Sequence, residues 1–135
     1  RSAGAHAIHN GLTQLKSSKK PLHGEIVGFG ILIQLRLEEI FLGNQLAKQT
    51  RLQLESLLKN LNLPLNLNDL GFAKVSHQEL EQACIFACKK GMGMENLPFK
   101  VTSKILLETI LETSKNNAKE NINFQIKNSI LGKVN

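Results

Sequence analysis

A chain of 135 residues with 41% hydrophobic and 21% charged content is long enough for one domain with a real core, too short for two ordinary ones, and too apolar to be disordered. Its net charge of +6 admits a nucleic-acid partner, but the lysines are scattered apart from "KSSKK", and 4% aromatics with no Trp or Tyr leave little for bases to stack on, so a solvated basic face is expected. The longest apolar run, "IVGFGILI", falls far short of the ~20 residues a bilayer requires, and the opening "RSAG" has neither Met nor an apolar leader, so the expectation is a cytoplasmic protein with no membrane partner.

Helical spacing dominates the chain. The one alternating stretch, "LNLPLNLN" at 61–68, contains Pro64 and several asparagines and reads as an extended connector. A first helix is expected over Ser2 to His9, stopped by Asn10-Gly11. The basic loop "TQLKSSKKP" follows. A second helix begins near His23 as "HGEIVGFGILIQLRLEEIFLG", apolar on nearly every face until Gln34, and is expected to be the buried central rod. Gly24, Gly28 and Gly30 each cost it about 1 kcal/mol of helix propensity, so another backbone is expected to pass close by.

Gly43-Asn44 ends that rod. The amphipathic "QLAKQTRLQLESLLKNLNL" predicts a third helix with Leu52, Leu54, Leu57, Leu58 and Leu61 facing inward. "NLNDLGF" is a turn. Ser76 and Glu79 form a capping box that opens a helix through Lys90, closed by Gly91. "GMGMENLPFK" is a loop, and Thr102 starts a helix whose apolar face holds Ile105, Leu106, Thr109 and Ile110. The tail "INFQIKNSILGKVN" reads as one more short helix. The fold class is therefore all-α, with five or six helices. Cys84 and Cys88 stand one helical turn apart, where a bridge is strained, so two buried thiols in a reducing compartment are expected.

Three of the four histidines, His6, His9 and His23, fall within eighteen residues of one another. His6 and His9 share one face of the first helix, and His23 stands at the start of the second. Neutral imidazoles at such positions suit a divalent metal. A carboxylate partner is missing, because Asp69 is the sole aspartate and Glu25 points about 200° away from His23 on an ideal helix. Two imidazoles alone make an incomplete site for an ion that must polarise oxygen. His77 lies in the capping box and is set aside.

At these residues the sequence becomes familiar. "AGAHAIHNGLTQL" followed by "HGEIVGFGILIQLRLE" resembles the glycerol dehydrogenase branch of the iron-containing alcohol dehydrogenase family, and the likeness continues through "LNLPLNLNDLGF" and "NLPFKVTSKILLETIL", over about residues 3 to 115. The resemblance implies the C-terminal all-helical domain of such an enzyme (a dehydroquinate synthase-like fold), spanning 1–135 as a single metal-binding domain, with the N-terminal NAD-binding domain absent from this chain. It implies that His6 and His23 are ligands of zinc or another divalent metal such as iron, with an aspartate supplied from outside the chain. It makes His9 a cleft or second-shell residue, and no catalytic residue is expected beyond the metal ligands.

The activity implied is oxidation of a secondary hydroxyl of a small polyol, glycerol first, by hydride transfer to NAD. The isolated chain is expected to be inactive: "GFGILIQ" lies within a helix, and neither it nor "GMGMEN" fits a pyrophosphate-cradling loop. Expected partners are the polyol and the missing domain, with a homo-oligomer allowed and an apolar patch exposed where the partner domain would pack. Two features depart from the family: "KSSKK" stands between the histidines where a more neutral loop is expected, and the Asn- and Lys-rich tail after about residue 115 matches nothing in it. A helical interaction module without catalysis is the rival reading.

Overall fold

Helix α2 (His23–Leu42) is the element against which α1 (Ala3–Leu12), α3 (Gln45–Asn60) and α5 (Ser103–Val134) all pack, while α4 (His77–Ala87) fills the angle between α1 and α5. This is a computed structural model; it describes the backbone over residues 3–134 and the side chains over 3–118. The described residues contain no strand, and a short 3₁₀ turn at Met94–Asn96 interrupts the loop before α5.

The rod is buried on one side only, and Ile40, Phe41 and Leu42 at its end are exposed. Phe29, Leu32, Ile33 and Leu37 are fully removed from solvent, and Phe29, Ile33 and Leu37 share one core with Ile8, Leu12, Leu80, Cys84, Leu106 and Ile110 from the surrounding helices. No hydroxyl or amide side chain is available at Leu22 to cap α2, so the Glu25 carboxylate reaches back and accepts from the Leu22 N–H at 2.8 Å. At the other end Gly43 takes φ +60, the left-handed state that glycine adopts freely, and its N–H donates to Glu39 O. Asn44 Oδ1 then caps α3 through the Ala47 N–H at 3.1 Å.

Several expectations need correction. Helix α1 runs through Asn10-Gly11 to Leu12, because Gly11 serves close packing instead of a stop: a Cβ there would stand 2.5 Å from Ala83 O on α4. Of the three glycines of α2, only Gly30 is approached by another backbone, with Ala5 O 2.8 Å from a built Cβ; Gly24 and Gly28 meet nothing within 4 Å. The 3.6-residue repeat turns Gly30 toward α1 and carries the other two round to open surface.

The leucines of α3 are also placed differently. Leu52, Leu57 and Leu61 are 45–57% exposed and Leu54 and Leu58 half-buried, since α3 packs chiefly on α2 and buries Ala47 and Glu55 instead. Polar contacts tie this layer together. Arg51 bridges Glu39 (3.2 Å) and Glu55 (3.0 Å), and Arg36 bridges Glu39 (3.0 Å) and Glu112 of α5 (2.9 Å). Partly buried pairs of this kind fix the register of helices more than they add net stability.

Helix α4 opens on the expected capping box, Ser76 Oγ accepting from Glu79 N–H at 3.1 Å and Glu79 Oε1 from Ser76 N–H at 3.2 Å. It ends at Ala87, one turn before Lys90, and the chain then reverses through Gly91 and Gly93 at φ +92 and +109. The connector before α4 is irregular and pinned by side chains. Asn117 Nδ2 donates to Leu65 O at 2.7 Å, and Ser114 Oγ accepts from Leu67 N–H at 2.9 Å. The tail forms no separate helix, since α5 is continuous to Val134. Cys84 is buried and Cys88 half-buried, both free thiols, and burial pushes Cys84 up from 9.0 to about 12, with smaller contributions from Cys88 and Glu81.

Three outcomes test this packing. Gly11→Ala should destabilise by about 1–3 kcal/mol through overlap with Ala83, whereas Gly28→Ala should stabilise by up to about 1 kcal/mol; urea denaturation of both variants reads the contrast. Gln34→Leu, which leaves the buried Ala5 N–H without its 3.0 Å acceptor, should cost about 1–3 kcal/mol in the same assay. The native Cys84 thiol holds its proton to higher pH than the unfolded one. Its contribution to stability is therefore complete below about pH 9 and falls as pH rises toward about 12. Cys84→Ala should flatten that decline in denaturation curves taken between about pH 8 and pH 10.5.

Candidate metal centre

The site grows out of the contact between α1 and α2. Ala5 and Gly30 bring the two backbones together, and Gln34 Oε1, buried on α2, accepts from the Ala5 N–H at 3.0 Å. The start of α1 is thereby clamped to the second half of α2. Since the helices run antiparallel, the end of α1 is delivered to the beginning of α2. There the rings of His9 and His23 meet edge to face, their centroids 4.2 Å apart at 66°.

Each predicted residue has a definite place. His23 is the first residue of α2 and is exposed; His9 is half-buried against it; His6, three residues before His9 on α1, is exposed. His9 Nδ1 lies 3.1 Å from Asn10 Oδ1. This contact ties the His9 ring to the neighbouring Asn10 side chain through Nδ1 and leaves Nε2 on the far side of the ring. The structure thus brings His9 and His23 into ring contact and leaves His6 on the same helix within a single turn of His9. Among the described residues, no three His, Cys, Asp or Glu side chains are grouped so as to hold a metal ion. The nearest acid in sequence, Glu25, is engaged by the Leu22 N–H, and Asp69 Oδ2 accepts from the Leu65 N–H.

Beside the histidines, the open stripe of α2 (Gly24, Gly28, Ile31 and Leu35, at helical spacing) runs toward a groove of about 510 Å³ between α2 and α3. The groove is lined by Ile31, Leu35, Leu46, Leu54, Gln34 and Glu38 among others. The two exposed glycines keep the ground next to His23 level. Leu46 of the groove wall is 64% exposed, and Ile40, Leu42 and Leu57 are 47–53% exposed. No helix among the described residues is long and apolar enough to cross a membrane.

Imidazole nitrogens are borderline donors of the kind that zinc or ferrous iron takes as part of a larger ligand set. Two supporting residues escape the sequence reading. Gln34 is visible there only as the first polar residue of an apolar rod, and Asn10 reads as a helix stop, although it is the hydrogen-bond partner of His9.

No protein-family model matches the chain. It is 47% identical over 113 residues to an uncharacterized oxidoreductase of Synechocystis sp., an alignment covering 84% of this chain and 29% of that protein. It is 39% identical over 102 residues to the glycerol dehydrogenase of Thermotoga maritima, covering 76% and 26%. Its fold matches the crystal structure of a probable glycerol dehydrogenase from Sinorhizobium meliloti 1021 with a TM-score of 0.73 at 27% identity, over 86% of this chain and 31% of that one. The chain thus spans less than a third of the length of these relatives. It belongs to the glycerol dehydrogenase-like oxidoreductases, of which it represents one all-helical portion.

Proposed function

We propose that this chain is the metal-binding C-terminal domain of an NAD-linked polyol dehydrogenase acting on a secondary hydroxyl such as that of glycerol. The observation that carries the reading is the meeting of the "HAIHNG" and "HGE" segments, with His9 and His23 in ring contact across α1 and α2. His6 and His23 would hold a divalent ion, zinc or iron, together with an aspartate from the remaining part of the protein. When bound, such an ion supplies Lewis acidity to a hydroxyl oxygen, while NAD takes up hydride.

The chain's own residues do the rest. Asn10 holds the His9 ring through Nδ1, and the His9 ring buttresses His23. Gln34 and Gly30 hold α1 in register so that its histidines stand beside the α2 N-terminus. Gly24 and Gly28 leave room for a small substrate, and the groove and exposed leucines beyond offer an apolar face to the cofactor-binding portion.

Fusing the chain to the remaining portion of the Thermotoga maritima relative tests this. Zinc-dependent reduction of NAD⁺ by glycerol is expected, abolished by His6→Ala or by His23→Ala. His9→Ala should instead weaken zinc binding by roughly 10–100-fold, with His9→Phe recovering much of the loss through its edge contact. Full activity in the His6 or His23 variant would overturn the ligand assignment. A folded fusion that binds no zinc and oxidises no polyol would favour a non-catalytic interaction module.

A further inference from the structure

The two cysteines of the chain stand at the end of α4, and nothing in the proposed function uses them. The Cys88 N–H donates to Cys84 O at 3.1 Å, so helical geometry persists through the last turn and keeps the two residues on one face. Both are free thiols. Cys84 is 1% exposed, within a core that includes Leu12, Leu80 and Met94, and Cys88 packs half-buried against that same core. Cys88 is the C-cap residue and the member of the pair that solvent reaches.

The spacing decides what such a pair can do. Residues four apart on a helix hold their Cβ atoms about 5–6 Å from each other, whereas a disulfide needs about 3.5–4.5 Å. A direct sulfur–sulfur bond therefore demands backbone movement. One atom inserted between the sulfurs lengthens the link by a further bond and spans the turn.

Charge and ligand count narrow the identity of that atom. Burial pushes both thiols up, Cys84 to about 12, so sulfur is favoured here in an uncharged form. Among the described residues no third His, Cys, Asp or Glu joins the pair to hold a metal ion. Zinc, which takes four ligands, is undersupplied by two sulfurs. An element that bonds two sulfurs, fills its remaining valence with carbon and leaves a neutral adduct meets both constraints.

We propose that Cys84 and Cys88 form a chelating dithiol site for organic trivalent arsenic. With an arsenoxide, both S–H bonds and the arsenic–oxygen double bond break and two As–S bonds form. The oxygen leaves as one water carrying both thiol protons, arsenic stays trivalent, and neither sulfur is oxidised. The adduct bears no charge, so Cys84 never has to ionise within the core. This site shares no residue with the histidine pair and is independent of the dehydrogenase reading. It does sit in the turn that supports α1, since Ala83 and Ala87 are the residues that a Cβ on Gly11 would meet.

The probe is phenylarsine oxide, added in equimolar amount to the folded 135-residue chain and followed by intact mass spectrometry. One arsenical per chain is expected, at the mass of the added compound less one water, with both thiols lost to titration. The adduct should withstand excess 2-mercaptoethanol and yield to 2,3-dimercaptopropanol. Cys84→Ala and Cys88→Ala each leave a single thiol, and the 2-mercaptoethanol concentration that strips half the adduct should fall by about a hundredfold. Cys88→Ala/Lys89→Cys keeps two thiols but moves one by about 100° round the helix, and should behave like the single-thiol variants. Circular dichroism checks that each variant is helical; should the buried Cys84 variant unfold, the two variants at the half-exposed end carry the test. A folded chain that takes up no arsenical, uptake only in urea, stripping as easy as from a single-thiol variant, or full retention in the relocated variant would each overturn the proposal.

Discussion

The arrangement depends on one close approach, the seating of Ala5 against Gly30 with the Ala5 N–H satisfied by Gln34. A larger residue at either position would push α1 away from α2, and a buried helix-start N–H without an acceptor would cost the free energy of its desolvation. With the clamp in place, the antiparallel course of the two helices leaves little freedom to the other end of α1. His9 arrives at His23 because the first half of α1 is fixed elsewhere. Gly11, pressed on Ala83, extends the same logic to α4 and locks α1 from its far side.

This geometry explains why His9 and His23 meet where α1 ends and α2 begins. Two rings in edge contact, one of them also held at Nδ1 by Asn10, have little freedom left to rotate. The carboxylates that could complete the set are committed to other tasks, Glu25 as a helix cap and Asp69 within its turn. The matched part is under a third of the length of its relatives, so most of such a polypeptide lies outside it. The open space at Gly24 and Gly28, the apolar groove between α2 and α3 and the exposed leucines leave apolar surface uncovered on this chain.

Charge is distributed with equal economy. The arginines are consumed in a partly buried network that ties α2, α3 and α5 together. The lysines of the α1–α2 loop are left uncompensated and carried on a backbone held by serine hydroxyls. The first group does structural work; the second lies on exposed surface.

Much of this was legible in the residues alone. The helical periodicity, the capping box at Ser76 and Glu79, the stop at Gly43 and the rod at 23–42 follow from local spacing and local hydrogen bonding, which the sequence specifies directly. The "HAIHNG" and "HGE" segments likewise marked the histidines before any contact was known. Tertiary structure decided what depends on neighbours distant in the chain. Gly11 looks like a helix stop until Ala83 is seen above it, and Gly24, Gly28 and Gly30 look alike until α1 is placed against one of them. The leucines of α3 have the pattern of a buried face, yet that helix packs chiefly on α2, and Leu52, Leu57 and Leu61 remain exposed with Leu54 and Leu58 half-buried. Periodicity shows which residues share a face of a helix, but only the packing of the other helices determines whether that face is covered.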